Sequence, residues 1–161
     1  YGQQGAASLF GANEADGVYE VNGATPTFAG FIAGSPNLKG MIFSTASGRL
    51  MGVNGHTVYF TQVQVDPVDL SNLRDWTTPP STAVVSPDDG DGFIAIVELS
   101  DLIFFFKNTG VWVLPNSNLD PTEWTFPKVE ADVGSFSPKS VRVSRYEKQM
   151  GVIYQGTDNT L

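Results

Sequence analysis

The sequence predicts an all-β fold, and three observations support this prediction. Apolar residues make up 41% of the chain and charged residues only 16%, a balance that is too apolar for a disordered protein. The chain contains 17 Gly and 10 Pro, which favour many short strands joined by turns. No long stretch shows the apolar period of a helix.

The strongest pattern in the chain is a pair of near-copies around two tryptophans, Trp76 and Trp124. Each copy has an aromatic strand, then an Asp-Pro turn, then an acidic residue followed by Trp and Thr. The two tryptophans lie 48 positions apart (124 − 76), and repetition at such spacing is typical of β-propeller blades. The predicted anchors of the repeat, all structural, are Tyr59, Pro67, Trp76, Trp112, Pro121 and Trp124.

Taken in order, the chain begins with a weakly patterned segment and then alternates apolar and polar residues in short runs separated by turn residues. A single helical turn is predicted at residues 70–74. Aligning the middle strands of successive blocks on Leu50, Leu102 and Met150 gives a repeat of roughly 50 residues. The predicted strands are residues 17–21, 39–44, 49–53, 57–63, 92–99, 102–107, 111–114, 141–144 and 150–154.

These blocks divide one propeller domain into four parts. Residues 1–38 are predicted to carry a strand of a preceding blade, 39–86 and 87–136 are blade-like repeats, and 137–161 begin a further blade. Each blade is an antiparallel meander. About three blades are present and closure takes at least four, so we predict part of a larger propeller. Because the chain opens at Tyr1 rather than Met, we expect a fragment.

Composition excludes several classes of function. A net charge of −8 is the opposite of the basic footprint that gripping nucleic acid requires. With no Cys, disulfides and thiolate metal sites are excluded, and no apolar run is long enough to predict a membrane span. The basic residues are not interleaved with aromatic residues as a nucleic-acid platform requires; those considered are Arg49, Lys107, Lys128, Lys139, Arg142, Arg145 and Lys148.

One acidic cluster resembles a calcium loop. Asp89, Asp91 and Glu98 fall on positions 3, 5 and 12 of such a loop, but position 1 is Pro87 and no helices flank it. The simpler interpretation of these residues is a turn that binds no metal. We therefore predict no metal or cofactor, and calcium binding is the competing interpretation. The single histidine, His56, is interpreted as a polar turn residue.

Carboxylates on the loops raise the question of glycoside hydrolysis, which needs a paired acid and base. Acidic residues on loops are usually solvated turn residues, and no convergent catalytic motif accompanies them. We therefore predict that the chain is not an enzyme. The carboxylates considered are Asp69, Asp75, Asp120, Glu123 and Glu130.

Residues 48–53, followed by 57–61 and by the Asp66-Pro67 to Trp76 segment, resemble a recurrent stretch of a protein family. The family comprises the tail nozzle (tail tubular) and packaged-DNA stabilisation proteins of short-tailed bacteriophages. Residues 89–114 are similar to the strand pattern that follows in that family, and the resemblance covers about residues 39–155.

The resemblance implies a structural virion protein without catalytic residues. Such proteins assemble in the bacterial host cytoplasm into a ring, usually of six copies, below the portal and adaptor of the phage tail. The genome leaves through the lumen without specific binding, and acidic walls suit that passage. Two other readings stay open: a propeller-type binding module for a protein or glycan, and a propeller glycosidase.

Overall fold

The computed structural model describes residues 8–22, 27–131, 133–135, 137–146 and 149–157. These residues form β-strands with one helical turn and three short 3-10 turns, so the all-β prediction is confirmed. The strands are β1 (Ser8–Asn13), β2 (Gly17–Asn22), β3 (Thr27–Phe31), β4 (Gly40–Ser44), β5 (Arg49–Asn54), β6 (Thr57–Phe60), β7 (Thr82–Val84), β8 (Ala95–Leu99), β9 (Leu102–Lys107), β10 (Gly110–Leu114), β11 (Lys128–Ala131), β12 (Arg142–Tyr146) and β13 (Gln149–Ile153). The helical turn is α1 (Ser71–Arg74), and the 3-10 turns are Pro87–Asp89, Pro121–Glu123 and Pro138–Ser140.

The strands form four antiparallel sheets in which sequence neighbours pair with one another. The first sheet is β1-β2-β3, the second β4-β5-β6-β7, the third β8-β9-β10-β11, and the fourth β12-β13. Gly48 and Gly55 have φ of +65° and +55°, the left-handed backbone that the tight turns around β5 require. The second and third sheets are four-stranded meanders, because each of their strands pairs with the next strand along the chain.

The sheets are stacked in chain order, with one apolar core between each neighbouring pair. Because side chains alternate along a strand, each inner sheet contributes one face to the preceding core and the other face to the following core. Leu50 and Trp76 lie in the core between the first and second sheets, and Val53 and Phe105 lie in the next. Phe106 and Val141 lie between the third and fourth sheets.

On one face of the third sheet, side-chain size rises from the first strand to the third. On the third sheet, the face toward the second sheet carries Ile96, then Phe105, then Trp112, and then Trp124 beyond β10. The first strands approach one another closely, β4 against β8 and β8 against β12. Small residues where the sheets meet and large residues farther out indicate wedge-shaped layers.

One backbone hydrogen bond recurs at every junction between sheets. In each case the donor is the backbone N–H of a residue in the segment that connects two sheets. The acceptor is a carbonyl at the end of the second strand of the preceding sheet; in the first sheet, the strand with this acceptor is β1. The bonds are Leu38 to Asn13 at 3.2 Å, Phe93 to Gly55 at 2.7 Å and Ser135 to Lys107 at 3.0 Å. We call these three bonds the stitch bonds.

The structure departs from the sequence prediction in several places. The apolar pattern does not locate β7 and β11, because both are short and mostly exposed. Leu102 was the wrong alignment partner for Leu50. It is Ile103 that faces the preceding sheet as Leu50 does, and a shift of one residue reverses the face of a strand.

The predicted blade boundaries can be compared with the sheets. Residues 39–86 enclose β4 to β7, 87–136 enclose β8 to β11, and 137–161 contain β12 and β13. The turns predicted at 22–23 and 146–148 lie partly outside the described residues.

Candidate functional site at the junctions between sheets

The second and third sheets are joined through a buried ammonium group. Lys107 is the last residue of β9, and its side chain is fully buried. Its Nζ donates to the carbonyl oxygens of Val85 at 3.1 Å and Ser86 at 2.9 Å. It also pairs with both carboxylate oxygens of Asp89, at 2.7 and 2.9 Å. These acceptors satisfy a charge that would otherwise be very costly to bury.

Aromatic rings and the single histidine complete the surroundings of this ammonium. Lys107 Nζ lies 5.0 Å from the ring centre of Phe93 and 4.8 Å from that of Trp112, both cation–π distances. It also lies 3.2 Å from Nδ1 of His56. Since an ammonium only donates, this contact fits the neutral tautomer of His56 in which Nδ1 accepts.

The connecting segment folds back so that Asp89 reaches Lys107. Ser86 and Gly90, on either side of the Pro87–Asp89 turn, both have left-handed backbone, with φ of +45° and +69°. Burial raises the pKa of Asp89, but hydrogen bonds from Lys107 and from the Asp91 N–H outweigh it and bring the pKa below its usual value. Asp89 is therefore held as a carboxylate.

This geometry does not suit Lys107 as an amine nucleophile. An amine nucleophile must be unprotonated and within reach of substrate, whereas Lys107 is ion-paired and buried. Its partners come from the β5–β6 turn, through His56, and from the connector that leads into the third sheet. Sequence reasoning missed this role. A lysine ending the most apolar strand is the one signal that could have indicated it.

Glu98 forms a second clamp between the same two sheets. Its carboxylate accepts the backbone N–H groups of Thr45 at 3.0 Å and Ala46 at 3.1 Å, and the Ser44 hydroxyl at 3.3 Å. These donors belong to the turn between β4 and β5. Glu98 lies on β8, so the third sheet holds the turn of the second.

The calcium interpretation of the acidic cluster does not fit this geometry. Asp89 pairs with Lys107, Asp91 accepts from the Asn108 side chain at 3.0 Å, and Glu98 holds the β4–β5 turn. The three carboxylates thus serve three different partners. Among the described residues, no group of three acidic, His or Cys side chains is arranged to hold a metal ion.

Three of the basic residues contact aromatic rings of the protein itself, which the sequence analysis did not foresee. Besides Lys107, Arg49 lies 5.7 Å from the ring centre of Phe60 and 6.0 Å from that of Trp124, and Lys128 lies 5.0 Å from the ring of Trp112. Arg49 and Lys107 are buried and present no cation to a nucleic acid, and the contact of Arg49 with Trp124 joins the second sheet to the third. Arg49 also donates to the Thr61 carbonyl at 2.6 Å.

An ion pair joins the first and second sheets. Arg74, in α1, donates to both carboxylate oxygens of Glu20 on β2, at 2.8 and 2.9 Å. The hydrogen bond from Arg74 is the main cause that lowers the pKa of Glu20. This bidentate pair explains why the long loop after β6 turns back against the first sheet.

The predicted tryptophan anchors occupy matching places. Trp76 lies in the core facing the sheet that precedes its own, and Trp124 does the same one layer later. They differ at the indole N–H: that of Trp124 donates to the Leu119 carbonyl at 3.2 Å. That of Trp76 is buried with no acceptor among the described residues. Tyr59 and Trp112 also face the preceding sheet from corresponding third strands.

Both Asp-Pro anchors form the same local turn. Asp66 accepts the Val68 N–H, and Asp120 accepts the Thr122 N–H, each at 2.9 Å. In both, the carboxylate of the Asp before Pro bonds the backbone two residues on. Pro67 and Pro121 thus occupy equivalent positions at the start of the loops that lead to Trp76 and Trp124.

The loop carboxylates considered for hydrolysis act as turn caps. Hydrogen bonds from Thr78 and Thr77 lower the pKa of Asp75 to about 2, and the Thr122 hydroxyl lowers that of Asp120. The Ser71 N–H likewise lowers the pKa of Asp69. A general acid needs a raised pKa, so these three residues are poorly suited to that role. Glu123 is exposed, and the side chain of Glu130 lies outside the described part.

Comparison with known proteins adds no assignment. In the described part of the chain, no helix is both long and apolar enough to cross a bilayer. No family model, no curated protein and no solved structure matches this chain.

Proposed function

We propose that the chain is a structural component of a bacteriophage tail, of the nozzle or tail tubular kind, whose stacked sheets are propeller blades. In this proposal it forms a homo-oligomeric ring, with six copies expected, around the DNA exit channel. Its neighbours are other tail and adaptor proteins. Its location is the virion, after assembly in the cytoplasm of the host.

This proposal rests on the partners that the polar side chains of the protein contact. Lys107, Glu98 and Arg74 each engage partners that join one sheet to the next. Because these side chains hold neighbouring sheets together, they favour a structural role over a catalytic one. The motifs of residues 48–61 and the matching Asp-Pro turns support the family resemblance.

The net charge of the protein supports a position beside DNA without tight binding to it. The net charge is −8, and two of the cations, Arg49 and Lys107, are buried where they cannot reach phosphates. A wall with this balance repels the polymer, and each cation kept from the surface removes one potential counterion-releasing contact.

The proposal is tested by the size and shape of the purified protein. Light scattering and negative-stain microscopy are expected to show a ring with a central opening. A labelled DNA duplex at low salt is expected to show no retention by the protein. A monodisperse monomer at micromolar concentration, or saturable duplex binding, would contradict the proposal.

A second candidate, a module that binds another protein, is favoured by one exposed loop. Val65 and Val68, in the loop after β6, are 83% and 69% exposed. Loops often carry the residues that bind a partner, and these two apolar side chains lie close together in the sequence of one loop. Val65→Asp is expected to leave a ring intact under the first proposal and to abolish partner binding under the second.

A further inference from the structure

The first sheet has three strands within the described residues, whereas the second and third have four. The stitch bonds identify which position is open. Phe93 bonds to Gly55, which directly follows β5, and Leu38 bonds to Asn13, which ends β1. Hence β1 occupies in the first sheet the position that β5, the second strand, occupies in the second sheet.

The connecting segments give the same alignment. Leu38 and Phe93 each lie two residues before the first strand of the next sheet, and both are buried. The segment after β3 therefore matches the segment after β7. Strands β1, β2 and β3 correspond to β5, β6 and β7, and no described strand corresponds to β4.

The open position has a visible effect on the neighbouring sheet. Phe43 on β4 and Glu98 on β8 hold the same place: they pair with Leu50 and Ile103, and both point toward the preceding sheet. Glu98 is covered there by the turn that follows β4, including Thr45. Phe43 has no such cover from the residues that the structure describes and is 43% exposed.

The backbone beside Phe43 is suited to pairing. Strand β1 is at the edge of its sheet and pairs, among the described residues, with β2 alone. An edge strand presents a row of backbone donors and acceptors that can bond an added strand. Met41, two residues before Phe43 on the same face, already packs in the core between the first and second sheets. The exposed ring is thus continuous with an established interface.

We propose that the edge of β1 that is unpaired among the described residues is a docking site for one extended segment of a partner protein. The segment pairs antiparallel with Ser8–Asn13, is about as long as β4, and becomes the first strand of the first sheet. Its side chains alternate, and those that face the second sheet are apolar because Phe43, rather than a carboxylate like Glu98, lies beneath them. This inference concerns the fold and does not rest on the phage assignment.

The test uses a synthetic peptide with the sequence of residues 39–47 carrying Ser44→Val, labelled with fluorescein. Its matched control carries an additional Ile42→Pro, since Pro cannot complete the ladder. Fluorescence anisotropy is expected to show saturable binding of the first peptide to the intact protein. At least about tenfold weaker binding is expected for the proline control, and also for the first peptide with the Phe43→Asp protein. Val84→Asp, on an exposed position of β7, is the protein control and should bind normally.

Hydrogen exchange provides the second readout. Peptide binding is expected to slow exchange of the amides of Ser8–Asn13 and to leave β13, the free edge of the fourth sheet, unchanged. Equal binding of both peptides, or protection at β13 or β7 in place of β1, would overturn the proposal. So would a dimer whose β1 amides are protected without peptide, because the occupant would then be a second copy.

Discussion

The ammonium of Lys107 lies 2.7 Å from the nearer carboxylate oxygen of Asp89, and this ion pair is shared between two layers of the protein. The ammonium is fully buried, whereas Asp89 keeps 22% of its side chain exposed. The two partners therefore differ in what their removal leaves behind. A carboxylate at the edge can be hydrated, but an ammonium inside cannot.

We expect Asp89→Ala to destabilise the protein more than Lys107→Met. Removing one partner of a buried pair costs about 3–5 kcal/mol when the remaining charge stays buried, and less when water reaches it. Urea denaturation of both single variants and of the double variant measures the order and the coupling. Equal losses, or a double variant whose loss equals the sum of the single losses, would show that the pair does not act as a unit.

The two tryptophans give a prediction about their indole nitrogens. Trp76→Ala and Trp124→Ala should each be strongly destabilising, by about 3–5 kcal/mol for the better buried Trp76. Trp76→Phe should cost much less than Trp76→Ala because Phe keeps most of the buried apolar ring, and no hydrogen bond to a described residue is lost with the indole N–H. Thermal denaturation measures all three. A Trp76→Phe loss as large as that of Trp76→Ala would show that this position requires the indole itself and not an aromatic ring alone.

Glu98 should be needed for the order of the β4–β5 turn. Glu98→Ala removes the acceptor of the Thr45 and Ala46 N–H groups, at a cost of about 1–3 kcal/mol. Hydrogen exchange at these two amides should become faster in the variant. Glu123→Ala, at an exposed loop position, is the control and should leave the turn unchanged.

Acid should weaken the protein through carboxylates whose pKa values are lowered in the folded state. Glu20, Asp75, Asp89 and Asp120 have folded pKa values below the ordinary values of 4.5 for Glu and 3.8 for Asp. Such groups stabilise the fold above the unfolded pKa, and this stabilisation is lost as pH falls through the folded pKa. Stability measured by urea should therefore decline below about pH 4.5 and continue to fall toward pH 2. Glu20→Gln should reduce the slope.

Gly134 should not tolerate a side chain. A Cβ at this position would overlap the Lys107 carbonyl oxygen, the acceptor of the neighbouring stitch bond. Gly134→Ala must therefore displace backbone, and a lower melting temperature is expected. Gly151→Ala is the matched control, since a Cβ there would meet nothing within 4 Å. Similar melting temperatures for the two variants would contradict the close approach.

Much of the fold could be predicted from apolar runs between turns, because a strand with one face toward each core carries consecutive apolar residues. In β9, Ile103 and Phe105 lie in the core before the third sheet, and Phe104 and Phe106 lie in the core after it. The site could not be predicted in the same way. Lys107 and Glu98 look like ordinary surface charges in the sequence, and only the stacking of sheets decides which carbonyls and turns they meet. Contacts between residues of different sheets leave no pattern in the local sequence.

The stitch bonds make the cooperative unit of this protein larger than its unit of repetition. Each sheet is bonded at its second strand, or β1 in the first sheet, to a segment that belongs to the next, so a cut between two sheets removes an acceptor from one piece and a donor from the other. A shortened chain that ends after β7 would lose the Phe93 partner of Gly55, whereas one extended through Phe93 would keep it. Minimal versions of the protein are therefore best ended after the connecting segment that follows a sheet, as after Phe93, and not directly after its last strand.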